Sequence, residues 1–277
     1  TEKAADELKS RIYKYGESVL RNTKGFANMY VGTIHGFCLK MLQEHIVQFQ
    51  KFTVLDEIKT KLYIEKNYDT CGMAELGLRK FVETGLFLTV MSTLNENWFE
   101  RDKKVFYEKN YFDYSLIMQE MLYQLENNQE FAKTVTNQIK YLTVDEYQDT
   151  NPIQERLIHF LKNGGCNLCI VGDDDQTIYQ FRGSNPENIL TFKERYGIKK
   201  YIVLGTDYRS SEAIIDIAKR VILNNTKRLS KEMESGAIFP YDDGDTIYHE
   251  FENCEDEYNF IAERIQELHS IGMKYSE

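Results

Sequence analysis

What the chain lacks narrows its identity first. None of its 277 residues forms a GxxxxGK[ST] loop, and no glycine is followed directly by lysine. The compact backbone cradle that clasps nucleotide phosphates is therefore missing from this sequence. No apolar run approaches the ~20 residues of a membrane helix. No signal peptide is visible, and the cytoplasm is the expected compartment. Net positive charge is also lacking: 34 Lys and Arg against 44 Asp and Glu give −10. That balance argues against a general polyanion-coating protein, yet a local basic groove stays possible because patches, not totals, set the potential. Five cysteines, an odd number without a regular framework, predict free thiols in a reducing compartment. There is no internal repeat and no low-complexity segment. What is present, 42% hydrophobic residues in a length suited to two or three units, is enough for substantial cores.

Apolar periodicity predicts the organisation. Ala5, Leu8 and Ile12 open the chain on a helix, residues 29–33 read as a strand, and 37–45 as the helix after it. From about 52 to 111 the texture becomes helical and charged around Leu62, Ile64, Leu76, Leu86, Leu88 and Leu94, without clear strands. Leu116, Ile117, Met121, Leu122 and Leu125 form another amphipathic helix. Three short apolar runs at 141–144, 168–171 and 201–204 then alternate with helical patterns, which argues βα units and a parallel sheet. Asn151-Pro152 starts a helix that Gly164-Gly165 ends. Residues 235–245 are the best linker or exposed loop. Tyr258, Ile261, Ile265 and Leu268 make a last apolar stripe that stops at Gly272.

Two of the apolar runs end abruptly in acidic and amide side chains. The first continues into Asp145-Glu146-Tyr147-Gln148-Asp149, the second into Gly172-Asp173-Asp174-Asp175-Gln176-Thr177. Ligands of open α/β sheets bind at the carboxyl ends of the strands. A carboxylate at Asp145 suits a hydrated Mg²⁺, which takes a few hard oxygen ligands. Its neighbour Glu146 suits the water that attacks a γ-phosphate, since phosphoryl transfer needs chiefly positioning and electrostatics. An isolated Asp-Glu pair would be an ordinary solvated strand end; Gln148, Asp149 and the second acidic strand favour the nucleotide site. The Gln176 amide suits contact with both a phosphate oxygen and a water. Tyr179, Phe181 and Arg182 place two aromatic faces for stacking single-stranded bases and a guanidinium for phosphate. Aromatics are more often core, but these follow a polar segment and precede Gly183. Cys166 and Cys169 form a CxxC that leads into a strand and has no second pair, so neither zinc nor redox chemistry is expected.

The acidic runs resemble motif II (DExxD) and motif III (GDxDQSIYxFRG) of UvrD/Rep-like superfamily 1 helicases. Residues 1–8 look like motif Ia, Gly32-Thr33-Ile34-His35-Gly36-Phe37 like motif Ib, and 111–116 like the segment that re-enters the ATPase core. Leu204-Gly205-Thr206-Asp207-Tyr208-Arg209-Ser210 looks like motif IV, with Asp207 where the family usually has Asn. These matches follow the family's order and cover nearly the whole chain. The resemblance implies an α/β fold: a RecA-like, P-loop NTPase-type parallel sheet with a helical insertion subdomain. First RecA-like domain 1A would cover 1–50 and 113–206, insertion 1B 51–112, and the opening of domain 2A 207–277. It implies ATP and Mg²⁺ as cofactors, with Asp145 on magnesium and Glu146 on the attacking water. Gln148 falls among the residues at the nucleotide, Gln176 couples the γ-phosphate to domain movement, and Arg209 reaches that phosphate from across the cleft. DNA contacts are implied at Lys3, Thr33 and His35, and at the Tyr179, Phe181 and Arg182 cluster. The partner would be single-stranded and partly duplex DNA, with movement 3′ to 5′ in repair or replication. The family's phosphate loop would precede motif Ia and motifs V and VI would follow residue 277, so the chain reads as an internal piece of a larger protein.

Three other readings compete. A helicase–nuclease subunit shares these motifs, and a DNA-binding or interaction piece without ATPase activity would keep their shape. Residues 170–177 also fit the hhhhDxDxT strand of haloacid-dehalogenase-like phosphatases, with the acidic run at 242–245 as a later motif. No strand precedes Asp242, and that reading leaves the Asp145–Asp149 run and Arg209 unexplained.

Overall fold

A computed structural model describes residues 2–21, 23–75, 77–80, 103–179, 184–198, 201–238 and 246–276. Phe181 and Arg182, Leu76, Leu86, Leu88 and Leu94 of the predicted insertion, and the acidic run at 242–245 lie outside these residues. The chain divides into two compact units, Thr1–Tyr196 and Gly197–Glu277.

The first unit opens with α1 (Glu2–Tyr15), which passes into one wider turn at Gly16–Leu20. The predicted strand at 29–33 does not form. Its residues enter no sheet among the described residues, and the Tyr30 hydroxyl instead donates to the Thr33 carbonyl at 3.0 Å. That turn delivers Thr33 as the cap of α2 (Ile34–His45), whose start lies three residues before the predicted one.

The stretch expected to be wholly helical begins and ends in strand. β1 (Thr53–Val54) pairs in parallel with β2 (Tyr111–Phe112). Between them Asp56 caps α3 (Glu57–Lys66), and 103–107 are helical. Two-residue strands are too short to show an alternating pattern, and here an aromatic knot holds them: Phe49, Phe52, Tyr107 and Phe112 meet with ring centroids 4.6–5.9 Å apart. Asp113 caps α4 (Tyr114–Asn127) by accepting from Leu116 N at 2.7 Å, and Asn128 caps α5 (Gln129–Gln138).

β3 (Tyr141–Val144) and β4 (Asn167–Ile170) are paired in parallel from Tyr141↔Asn167 to Val144↔Ile170. A parallel pair needs a crossover, supplied by α6 (Pro152–Asn163). Asn151 and Gln154 cap it reciprocally, with proline in its first turn. Its faces serve two cores. Leu157 and Leu161 join the large core of α2, α4 and α5, with Cys38, Leu42, Phe106, Phe112, Met121 and Val135. Ile158 joins a small core with Val144, Tyr147 and Ile189 directly beneath the acidic loops. Short helices α7 (Glu187–Leu190) and α8 (Phe192–Arg195) close the unit.

In the second unit β5 (Thr206–Asp207) pairs in parallel with β6 (Glu234–Ser235), around α9 (Glu212–Ile222). The strand predicted at 201–204 is therefore displaced: Ile202 and Leu204 are each 85% exposed. The ladder starts where Gly205 permits close approach. A Cβ there would stand 2.8 Å from the Glu232 carbonyl oxygen, and Glu234 N donates to the Gly205 carbonyl at 2.9 Å. α10 (Cys254–Ser270) carries the predicted Tyr258 stripe and stops just before Gly272, whose φ is +107°. No helix is long and apolar enough to cross a membrane among the described residues.

Candidate functional site

Where β3 and β4 stop, their backbones stay tied. Val171 N donates to the Val144 carbonyl at 2.8 Å, and Tyr147 N donates to the Val171 carbonyl at 3.1 Å. The two acidic loops thus leave the sheet side by side. At Glu146 the backbone turns left-handed, with φ +50°. Few residues other than glycine adopt this unless their surroundings hold it there. The kink leaves Asp145 and Glu146 exposed and sends Tyr147 and Gln148 inward, to 0% and 1% exposure.

Gln148 joins the two loops. Its Nε2 donates to Glu146 Oε2 at 2.6 Å, and its Oε1 accepts from Asp173 N at 3.0 Å. The amide orientation is forced, since a backbone N–H needs an oxygen opposite it and a carboxylate needs a donor. Asp173 then accepts from Gln176 Nε2 at 2.9 Å on Oδ2 and from Asp175 N at 3.1 Å on Oδ1. One continuous hydrogen-bonded path therefore runs from Glu146 to Gln176. Gly172 makes room for it: a Cβ there would lie 2.7 Å from Gln148 Oε1 and 2.9 Å from Ile189 Cδ1.

The donor set for a cation is made of hard oxygens. Asp145 uses Oδ1 to accept from Glu146 N at 3.0 Å. The carboxylates of Asp173, Asp174 and Asp175 bring ligand oxygens within 4.8 Å of one another. Asp149 Oδ1 is buried without a hydrogen-bond partner. Burial, and secondarily the charge of Glu146, hold the Asp149 carboxyl above the ordinary range. Three carboxylates close together in the second loop, and an unsatisfied buried oxygen in the first, are hard-oxygen features that suit a hydrated divalent ion.

Beneath the loops lies a second network that sequence reading missed. Glu155 on α6 accepts from the Tyr147 hydroxyl, from Arg195 Nη1 at 2.5 Å and from the Tyr196 hydroxyl at 3.0 Å. Asn188 donates to the Thr150 carbonyl at 3.0 Å. Together these pin the 147–150 loop to the helices that follow the second acidic loop. Burial, then Glu155, push the Tyr147 and Tyr196 phenols above their ordinary range. No local pattern announces Glu155, because its partners lie 8, 40 and 41 residues away.

The remaining predicted residues are dispersed over other elements. Lys3 is exposed on α1. Thr33 Oγ1 accepts from Gly36 N at 3.1 Å and so caps α2. His35 is half-buried with its ring edge-on to Tyr114 at 5.2 Å, and burial lowers its pKa. Tyr179 is 38% exposed. In the second unit Asp207 Oδ1 accepts from Arg209 N at 2.6 Å and Ser210 N at 2.9 Å, which holds its carboxyl low. The residue that departs from the family's Asn thus builds the turn presenting the exposed Arg209. All five cysteines are free.

Parallel strands that end in a carboxylate pair and in an Asp–Gln turn are consistent with the RecA-like class of nucleotide-driven α/β proteins. Within that class, the chain belongs to the UvrD/REP helicase family: its N-terminal domain model matches residues 1–197, and the UvrD-like helicase C-terminal domain model matches 202–277. The chain is similar to ATP-dependent DNA helicase PcrA of Staphylococcus epidermidis, with 31% identity over 303 aligned positions, covering 100% of this chain and 40% of that protein. PcrA of Bacillus subtilis is 29% identical, covering 99% of this chain and 39% of the relative. PcrA of Staphylococcus aureus is 30% identical, covering 100% and 40% respectively. The chain thus spans about 40% of the length of the relatives it matches.

Proposed function

We propose that this chain supplies motif-bearing segments of an ATP- and Mg²⁺-dependent DNA helicase or translocase, which moves 3′ to 5′ on single-stranded DNA in repair or replication. The observation that carries the reading is the path from Glu146 through Gln148 and Asp173 to Gln176, which makes two strand ends one unit. Asp145 would hold the ion, and bound magnesium would supply charge neutralisation at the phosphates. Glu146 orients the attacking water and accepts its proton. Gln176 senses the γ-phosphate, and Arg209 supplies positive charge to it. Lys3, Thr33, His35, Tyr179, Phe181 and Arg182 contact the DNA strand. The cytoplasm, where its DNA substrate and free thiols belong, is the proposed location.

The test is hydrolysis in the full-length protein and in the 277-residue chain. Glu146→Gln in the full-length protein should keep Mg-ATP binding and remove most turnover, by roughly 10²–10⁴-fold, because the amide keeps the shape but cannot accept the proton. Hydrolysis at the normal rate would overturn the Glu146 assignment. The absence of any Gly-Lys pair favours a second reading of the chain by itself: it binds ATP weakly and shows no DNA-stimulated turnover. Robust turnover by the chain alone, abolished by Glu146→Gln, would overturn that.

A further inference from the structure

We infer that Gln148 is a positioning residue for hydrolysis, setting the carboxylate of Glu146 from the second acidic loop without itself touching the nucleotide. The inference rests on the proposed role of Glu146 and departs from counting Gln148 among nucleotide contacts. Three observations carry it. Gln148 is 1% exposed. Each end of its amide is committed to a protein partner, Glu146 Oε2 on one side and Asp173 N on the other. Gly172 leaves room for it that any Cβ would fill.

The physical consequence is directional. Glu146 sits in a left-handed kink at the end of β3, and an exposed carboxylate there samples several rotamers. A fixed N–H donor at 2.6 Å selects one of them. That donor is itself placed by the backbone of the neighbouring strand end, and the same Asp173 receives Gln176. A shift of the Gln176 loop therefore moves the donor that holds Glu146, so competence for hydrolysis follows the state of the second loop.

Two substitutions in the full-length protein separate positioning from plain scaffolding, with kcat and KM for ATP measured for each. Gln148→Leu removes both hydrogen bonds; kcat should fall roughly 10–100-fold, with KM for ATP changed by no more than about threefold. Gln148→Met keeps the length and bulk of the side chain without its amide and should show the same split. A normal kcat in either folded variant, or a rise in KM as large as the fall in kcat, would overturn the inference. Glu146→Gln in the same series keeps the two proposals apart: loss of turnover there with intact Gln148→Leu turnover refutes only the bridge, and turnover retained in Glu146→Gln refutes the reading beneath it.

Discussion

Glu146 is held in a conformation that costs about 1–3 kcal/mol for a residue with a side chain, and the groups around it add charge rather than relieve it. Asp149 is the clearest case. One of its oxygens is buried without a partner, and burial with the nearby Glu146 charge raises its carboxyl. A raised carboxyl pKa means that folding opposes ionisation, so this group destabilises the protein once pH exceeds the unfolded value near about 4. Asp149→Asn should raise the melting temperature of the full-length protein by roughly a few degrees at neutral pH, and the gain should vanish below about pH 4. Equal melting temperatures at neutral pH would mean that the Asp149 charge is already compensated. At this scale the sequence announces the exposed chemistry of Asp145, Glu146 and Gln176, because acidic and amide residues directly after an apolar run stand out. It points to Gln148 only as one of the residues at the nucleotide and hides its bridge to Asp173, 25 residues away.

At the scale of elements, capping explains most of what was legible. Asn151-Pro152 predicts the start of α6, and Gly164-Gly165 its end, because each names a specific backbone requirement. Strands are less legible in the sequence. The run at 201–204 is apolar enough, but pairing begins at Thr206, after Gly205 lets the neighbouring backbone approach. The pair Thr53–Val54 and Tyr111–Phe112 is invisible locally, since it depends on a contact across 58 residues. The network at Glu155 shows what such long-range contacts do: one carboxylate on α6 holds Tyr147 at the acidic loop and Arg195 with Tyr196 at the end of the unit. Glu155→Ala leaves Arg195, whose side chain is 28% exposed, without its charge partner and with only the neutral acceptors Asn188 and Thr191, and should cost about 3 kcal/mol in chemical denaturation. The network also has a pH signature. Both phenols are raised in the folded state, so their contribution is complete below the unfolded value of about 10 and is lost as pH climbs past it. Stability should therefore drop between neutral pH and about pH 11, and Tyr147→Phe should lessen that drop. A variant that loses as much as the unsubstituted protein would show that other tyrosines dominate the alkaline limb.

For the molecule as a whole, a net charge of −10 and a proposed DNA strand have to be reconciled. Affinity cannot come from bulk attraction, so it has to come from a few phosphate contacts and from stacking, which is indifferent to charge. The proposed cluster contains both kinds of group: Tyr179, partly exposed just past the Gln176 loop, and Phe181 with Arg182 in the next few residues of sequence. Separate substitutions can tell them apart. Phe181→Ala in the full-length protein should weaken single-stranded DNA binding by about 1–3 kcal/mol, similarly for different sequences, because every base offers a stacking face. Arg182→Ala should remove one phosphate contact, weakening binding and lowering the slope of log affinity against log salt by roughly one unit. The salt slope of Phe181→Ala should stay near that of the unsubstituted protein. Since both residues follow Gln176 closely along the chain, either change should also reduce DNA unwound per ATP consumed. A salt titration of oligonucleotide binding for the three proteins checks the first two expectations, and unwinding against ATP turnover checks the third. Unchanged binding in both folded variants would return these side chains to the interior, and the strand would have to be sought along α1 and α2, where Lys3, Thr33 and His35 lie.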